Sequence, residues 1–200
     1  MERVAAIVSS EAYKAPNDRA RTIMNVWVYD SIVSDDVIAV YVNETTRTVL
    51  VGFRGTTITP KDLSLLWGLL TNVTGLQKHA IADSERTVLR ARSRHPTKKF
   101  VLTGHSKGAW LAKSFARTES DEVIGFSPAT TVSDIVDSWK PRVGPQPKVV
   151  FHSVAGDVLS IPSYFLKGVE QNVQVNASLA GTIFGGIFGA FQAHKLSHFT

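Results

Sequence analysis

The residue of this chain best suited to chemistry is Ser106, at the centre of the pentapeptide GHSKG at 104–108. This G-x-S-x-G pattern follows the apolar run FVL at 100–102 and precedes a helical pattern. Between a strand and a helix, such a turn needs small residues and lifts the serine hydroxyl above the edge of a sheet. The pentapeptide arises by chance in roughly one chain in ten of this composition, so its context is what favours a function. Ser106 is a candidate nucleophile, and the alternative is a glycine turn that only begins a helix.

A nucleophilic serine needs a histidine to accept its proton and a carboxylate to orient that histidine. Where the serine lies on a strand-turn-helix elbow, the chain order is serine, then acid, then histidine. The histidines that follow Ser106 are His152, His194 and His198. His152 falls inside a predicted strand and is interpreted as structural. His194 and His198 therefore remain as candidate bases.

The candidate acid is Asp157, which follows a predicted strand at 148–152 through a short loop. It should project from the carboxyl end of that strand, where open α/β sheets place their sites. Asp134 and Asp137 compete with it. Both lie in the segment 131–139, where a solvated helix face is the favoured interpretation.

Alternating apolar and polar residues predict three strands before the elbow, the last two joined as a hairpin through the turn-prone NETT at 43–46. The segment 80–94 predicts a crossover helix with Ile81, Val88 and Leu89 on one buried face, ended by Pro96. From there strands and helices alternate, so we expect an α/β fold with a mostly parallel central sheet flanked by helices. The predicted strands are 25–29, 37–42, 48–53, 99–103, 122–126, 148–152 and 172–176, and a helix is predicted at 107–117.

Composition limits the class of protein. Two hundred residues with 44% hydrophobic content suit one domain, 1–200. The net charge is +5, but the basic residues neither form a long run nor interleave with aromatics, so no nucleic-acid partner is expected; an anionic membrane surface fits the charge equally well. The absence of cysteine excludes a disulfide-stapled secreted domain. The first ten residues carry charges at Glu2 and Arg3, and their apolar stretch is too short for a signal peptide. We therefore expect a cytoplasmic or peripherally membrane-associated protein.

Two apolar segments affect this prediction. Residues 171–193 contain no charge, and within them 177–191 has glycines at four-residue spacing and the length to span a bilayer. A single span would place His194 on the far side of the membrane from Ser106, so we expect a flap or interfacial hairpin instead. The segment 62–70 is strongly apolar where a lid would belong, and a buried core helix is the equal alternative.

Several segments, in order, resemble the class 3 lipases of the α/β-hydrolase superfamily. VGFRGT at 51–56 resembles that family's oxyanion strand, and FVLTGHSKGAWLA at 100–112 resembles its elbow strand and helix. GFSP at 125–128, the GDV and IP of the segment 156–162, and HKLSHF at 194–199 are similar to the segments that follow. The match covers about residues 37–199. Lys107 replaces a more usual leucine, and the N-terminal helices of larger members look missing or reduced.

The resemblance implies an α/β-hydrolase that cleaves lipid carboxylic esters as a lipase or phospholipase, with a lipid or ester as its substrate. Ser106 would be the nucleophile, Asp157 the orienting acid and His194 the base. The backbone N–H groups of Thr56 and Lys107 would form the oxyanion hole, and Lys107 also suits that role as the residue after the nucleophile, at a helix N-terminus. No metal or other cofactor is implied. The alternative is a catalytically silent, membrane-associated interaction protein that keeps the fold.

Overall fold

A computed structural model of the chain describes residues 1–55, 74–130, 132–141, 143–155, 157, 160–174 and 199. Within these ranges eight strands form one sheet. The strands are β1 Thr22–Ile23, β2 Trp27–Tyr29, β3 Ile38–Asn43, β4 Thr48–Phe53, β5 Lys99–His105, β6 Glu122–Phe126, β7 Lys148–Val154 and β8 Glu170–Gln174. The helices are α1 Glu2–Glu11, α2 Thr74–Arg94, α3 Lys107–Phe115 and α4 Val132–Ser138, with short 3₁₀ helices at Pro16–Asp18 and Ile161–Phe165.

The strands lie side by side in the order of the sequence. β1 to β4 pair antiparallel, and β4 to β8 pair parallel. The expected α/β fold with its hairpin and its parallel half is therefore confirmed. Because parallel crossovers are right-handed and these strands advance in one direction, the crossover helices all fall on the same face of the sheet. The other face needs a different cover.

Both faces of the sheet are in fact covered. On the crossover face, Val51, Leu102 and Phe151 belong to a core that includes α2 and α3. On the opposite face, Leu50 and Val101 pack with residues of α1. All six residues of β3 and of β4 are buried as a result. Successive residues of a strand point to opposite faces, so each strand serves both cores.

Helix α1, which covers the face opposite the crossover helices, was not predicted from the sequence. Val4 and Val8 lie four residues apart in this ten-residue helix and are buried, and the buried Ala12 continues the same spacing just past its end. The fit to the sheet is close, since a Cβ at Gly52 would lie 2.7 Å from the Val8 carbonyl oxygen. The described residues therefore include one N-terminal helix of ten residues, which the strand and helix predictions did not contain.

The crossover helix α2 begins at Thr74, earlier than predicted, and ends at Arg94 as expected. Val88 and Ala91 are buried, but Leu89 is 55% exposed, so its predicted burial was wrong. The buried stripe follows helical spacing through positions 84, 87, 88 and 91, and residue 89 lies about 100° away from 88 around the helix. The C-terminal end of α2 is anchored by Arg92, whose guanidinium makes hydrogen bonds of 3.1 and 2.8 Å to the Asp121 carboxylate.

The two apolar segments predicted to be a lid and a flap, 62–70 and 177–191, lie outside the described residues. Within the ranges described, no helix has both the length and the apolar character needed to cross a membrane.

Candidate active site

Ser106 occupies the turn between β5 and α3 with φ 58° and ψ −124°. Few non-glycine residues adopt a positive φ, and holding one there costs about 1 to 3 kcal/mol. The surrounding backbone maintains this conformation: the Ser106 N–H donates to the Phe126 carbonyl at 3.0 Å, and the Ala109 N–H donates to the Ser106 carbonyl at 3.1 Å. The predicted elbow is thus present at the carboxyl end of a parallel strand.

The two glycines of the pentapeptide are needed because backbone segments meet there. A Cβ at Gly104 would overlap with the backbone of Gly108, and a Cβ at Gly108 would overlap with the Phe53 carbonyl oxygen. The absence of both side chains lets the first turn of α3 approach β5 and the end of β4 together. The spacing G-x-S-x-G therefore follows from packing at the elbow.

The end of β4 lies against the elbow. A Cβ built on Gly108 would be 3.1 Å from the Gly55 nitrogen, and one built on Gly55 would overlap with the His105 carbonyl oxygen. The predicted oxyanion strand therefore reaches the elbow at Gly55. Lys107 is the first residue of α3, where the helix dipole and the N–H groups of the first turn favour negative charge. Thr56, the other predicted donor, lies outside the described residues.

Asp157 follows β7 and is 1% exposed. Its N–H donates to the Val154 carbonyl at 3.0 Å, and its carboxylate accepts a hydrogen bond of 2.5 Å from the Ser160 hydroxyl. The Ser160 N–H closes the turn by donating to the Asp157 carbonyl at 3.1 Å. Because β5 and β7 are parallel and only β6 separates them, Asp157 and Ser106 lie at the same edge of the sheet.

The competing acids are engaged elsewhere. Asp134 is half-buried and accepts a hydrogen bond of 2.8 Å from the Trp110 indole N–H, so it ties α4 to α3 and is not simply solvated. Asp137 is exposed and pairs with Lys140 at 2.6 Å, as expected for a solvated helix face. Neither contact lies at the elbow.

His152 lies within β7, and its ring stacks on Phe126 with centroids 5.4 Å apart. It faces α1, where its Nε2 atom is 3.6 Å from a Glu2 carboxylate oxygen. Burial lowers the His152 pKa, against the opposing effect of the carboxylates of Glu2 and Glu170. His152 also lines a cavity of about 360 Å³ with residues from the starts of β6, β7 and β8. This environment agrees with the structural role inferred for His152.

His194 and His198, the candidate bases, lie outside the described residues. Phe199 is described. Its ring packs against Phe126, the last residue of β6, with centroids 5.0 Å apart, and it contacts Val154 at the end of β7. The penultimate residue of the chain therefore lies where these two strands end.

Two residues at this site were not found by sequence reasoning. Ser160 holds the Asp157 carboxylate, and Tyr13 holds the His105 ring through a hydrogen bond of 3.0 Å. Ser160 stands three positions after the acid, but no pattern in the sequence marks it. Tyr13 is 92 residues from its partner, so no local signal could identify the pair.

No protein-family model matches the chain, and no curated protein is significantly similar to it in sequence. Solved structures are similar in fold. A Yarrowia lipolytica lipase superposes with a TM-score of 0.51 at 11% identity, over 86% of this chain and 77% of that one. A deletion mutant of the Rhizomucor miehei lipase propeptide complex gives 0.51 at 16% identity, over 88% of this chain and 67% of that one.

The chain covers 63% of the native Rhizomucor miehei lipase propeptide complex, at 16% identity and a TM-score of 0.48 over 82% of its own length. It therefore spans less than two thirds of that structure. At these identities the likeness concerns the fold. The predicted resemblance to the class 3 lipases is confirmed at that level: this chain has the α/β-hydrolase fold found in fungal lipases.

Proposed function

We propose that this protein is a serine hydrolase that cleaves lipid carboxylic esters through an acyl-enzyme. The observation that supports this most directly is the strained backbone of Ser106, with φ 58° at a strand-to-helix turn. A folded chain retains such strain when the surrounding structure holds it, and retained strain is typical of functional sites. The buried Asp157 at the same edge of the sheet adds the acid that a serine nucleophile requires.

In this mechanism the Ser106 Oγ attacks the ester carbonyl carbon while His194 takes its proton. The Thr56 and Lys107 N–H groups bind the oxygen as it becomes negative, and Asp157 orients the imidazole. The C–O bond to the alcohol then breaks, and His194 returns the proton to the leaving oxygen. A water molecule, deprotonated by His194, attacks the acyl carbonyl carbon. The bond from that carbon to the Ser106 Oγ then breaks, and His194 returns the proton to the Oγ as the carboxylic acid leaves.

The choice of His194 rests on the sequence resemblance. The contacts of Phe199 with Phe126 and Val154 support a base from the end of the chain, and they favour His194 and His198 equally. Alanine variants of each histidine, assayed with p-nitrophenyl esters, separate the two. We expect the true base to cost orders of magnitude in turnover. Near wild-type turnover in His194→Ala would remove it from the mechanism.

The serine mechanism itself is tested with a fluorophosphonate probe, which phosphonylates activated serines. Wild-type protein should be labelled and Ser106→Ala should not. Ser114→Ala is a matched control, because the Ser114 hydroxyl donates to the Trp110 carbonyl of its own helix, at 3.0 Å. If ester turnover is detected without labelling, the serine mechanism is wrong.

We further propose peripheral contact with an anionic membrane. Three apolar side chains, Val136, Trp139 and Phe165, are each about 60% exposed, at 58%, 61% and 61%. The Lys167 Nζ atom lies 5.5 Å from the centre of the Trp139 ring, and Lys140 is the residue after Trp139. Aromatic rings beside lysines suit an interface with anionic headgroups, as does the net charge of +5.

Flotation with phosphatidylserine vesicles tests this contact. Wild-type protein should float, and a Trp139→Ser, Phe165→Ser double variant should float less while its solution ester turnover is unchanged. Deletion of residues 177–191 tests whether that segment anchors the protein to the membrane. Full flotation after the deletion would show that this segment is not the anchor. A catalytically silent lipid-binding protein, the alternative function, would float without ester turnover.

A further inference from the structure

Tyr13 lies just beyond the C-terminal end of α1. It is 92 residues before His105 in the sequence, and its side chain reaches the elbow. Its hydroxyl oxygen is 3.0 Å from the Nδ1 atom of His105, the residue before Ser106. The two rings are tilted by 57° with centroids 6.1 Å apart. The N-terminal segment therefore touches the nucleophile's own strand.

The same hydroxyl lies against the backbone of Gly55, where an added Cβ would overlap with it. Burial raises the Tyr13 pKa to about 12, against the lowering effects of the Gly55 backbone and of the Arg54 charge, so the phenol keeps its proton at neutral pH. The protonated phenol and the His105 Nδ1 atom therefore share one hydrogen bond beside Gly55.

The contacts of Tyr13 with Gly55 and with His105 join the end of β4 to the end of β5. In the proposed mechanism these two strand ends must keep a fixed separation. Gly55 directly precedes Thr56, and His105 directly precedes Ser106 and Lys107. A Cβ at Gly55 would overlap with both the Tyr13 hydroxyl and the His105 carbonyl oxygen, so only glycine fits between them. Oxyanion donors act over 2.7 to 3.1 Å, and a misplacement of about 1 Å can cost about 100-fold in rate.

Tyr13 is itself held in place by the turn that follows α1. The Arg19 Nε–H donates to the carbonyls of Glu11 and Lys14, each at 3.2 Å, and the Glu11 carboxylate accepts from the Ala20 N–H at 2.7 Å. Arg19 is 4% exposed and Glu11 is 5% exposed. The turn that carries the tyrosine is therefore held by two buried charged side chains.

We propose that Tyr13 is a positioning residue for the ester hydrolysis proposed above: its hydroxyl contacts both Gly55 and His105 and so fixes the end of β4 relative to Ser106 and the N–H group of Lys107. This inference rests on the proposed function. It also makes α1 and the turn after it a part of the site.

Tyr13→Phe removes the hydroxyl and keeps the ring. We expect kcat for a p-nitrophenyl ester to fall by about tenfold with KM changed less than about twofold, because the loss affects the transition state more than substrate binding. The rate of fluorophosphonate labelling should fall similarly. Tyr41→Phe is the matched control, since the Tyr41 hydroxyl donates to the Ala20 carbonyl at 2.8 Å and so holds the same turn without contact to Gly55 or His105.

The ¹⁵N shifts of the His105 ring provide a readout that does not depend on catalysis. The wild type and Tyr41→Phe should show the same Nδ1 and Nε2 shifts, and Tyr13→Phe should shift the Nδ1 signal because that atom loses its hydrogen-bond partner. Labelling of Tyr13→Phe at the wild-type rate, or an equal fall in Tyr41→Phe, overturns this inference alone. A wild type that the probe does not label overturns the proposed function, and this inference with it.

Discussion

The hydroxyl groups of Ser9 and Thr103 form a buried hydrogen bond of 2.9 Å between α1 and β5. Thr103 also donates to the Ile124 carbonyl at 2.7 Å, so its oxygen is available to accept from Ser9. The bond lies two residues before His105, on the strand that leads to the elbow. An N-terminal helix is thus joined by polar contacts to the strand that presents Ser106.

Removing either hydroxyl should therefore lower the free energy of unfolding, and the loss should be larger for Thr103 than for Ser9. Ser9→Ala loses one buried bond and should cost about 1 kcal/mol in the free energy of unfolding. Thr103→Val removes the bond to Ser9 and the bond to the Ile124 carbonyl together, and should cost about 2 to 3 kcal/mol. Urea denaturation of both single variants and the double variant measures the coupling. Strict additivity would contradict a direct bond between the two side chains.

The strain at Ser106 predicts that a glycine substitution, which would remove the proposed nucleophile, should increase stability. Glycine adopts φ 58° without the penalty that alanine carries, although its greater freedom in the unfolded chain offsets part of the gain. Ser106→Gly should therefore be more stable than Ser106→Ala by about 1 kcal/mol. Thermal or urea unfolding checks this, and both variants should resist the fluorophosphonate probe. Equal stability would indicate that the elbow relaxes in the absence of serine.

Gly108→Ala tests the contact between α3 and the end of β4. The new methyl group would overlap with the Phe53 carbonyl oxygen, so the helix must move, at a cost of about 1 to 3 kcal/mol. Ester turnover should fall as well, because Lys107 moves with the helix. Gly144→Ala is the control: its φ is +86° and a Cβ there meets nothing within 4 Å, so only backbone strain is added and turnover should not change.

Asp157→Asn keeps the shape of the acid and removes its charge. Loss of the orienting carboxylate should reduce kcat by between about 100-fold and 10,000-fold with little change in KM. Asp134→Asn is matched to it, because an amide oxygen can still accept from the Trp110 N–H. Wild-type turnover in Asp157→Asn together with a loss in Asp134→Asn would reverse the assignment of the acid.

Because His152 is buried, its protonation should make the free energy of unfolding depend on pH. It should have no effect on ester turnover. Burial keeps the folded-state pKa of His152 below the ordinary value of 6.5, so in this window the unfolded chain binds more protons. The free energy of unfolding should therefore decrease as the pH falls below about 6.5, and His152→Gln should remove that part of the decrease. Glu2→Gln should lower the His152 pKa further, because the Glu2 carboxylate opposes the effect of burial. NMR titration of the ring measures the pKa, and turnover at pH 7 should be unaffected by either change.

The sequence alone predicted the local parts of this protein. The spacing of Gly104, Ser106 and Gly108 identifies the elbow because the steric demand that it satisfies arises between neighbouring segments. Asp157 could be placed because it follows a recognisable apolar strand. The alternation of strands and helices likewise predicted the parallel half of the sheet, since parallel strands require crossovers.

The tertiary structure decided what depends on distant partners. α1 is short, and it is needed because sequential right-handed crossovers leave one face of the sheet uncovered. Leu89 was predicted to be buried and is exposed, because the direction in which α2 packs selects which stripe of the helix faces the core. Tyr13 meets His105 across 92 residues, a contact that exists only once α1 has packed on β4 and β5. Local spacing determines the conformation of a turn, whereas packing between elements determines which side chains meet there.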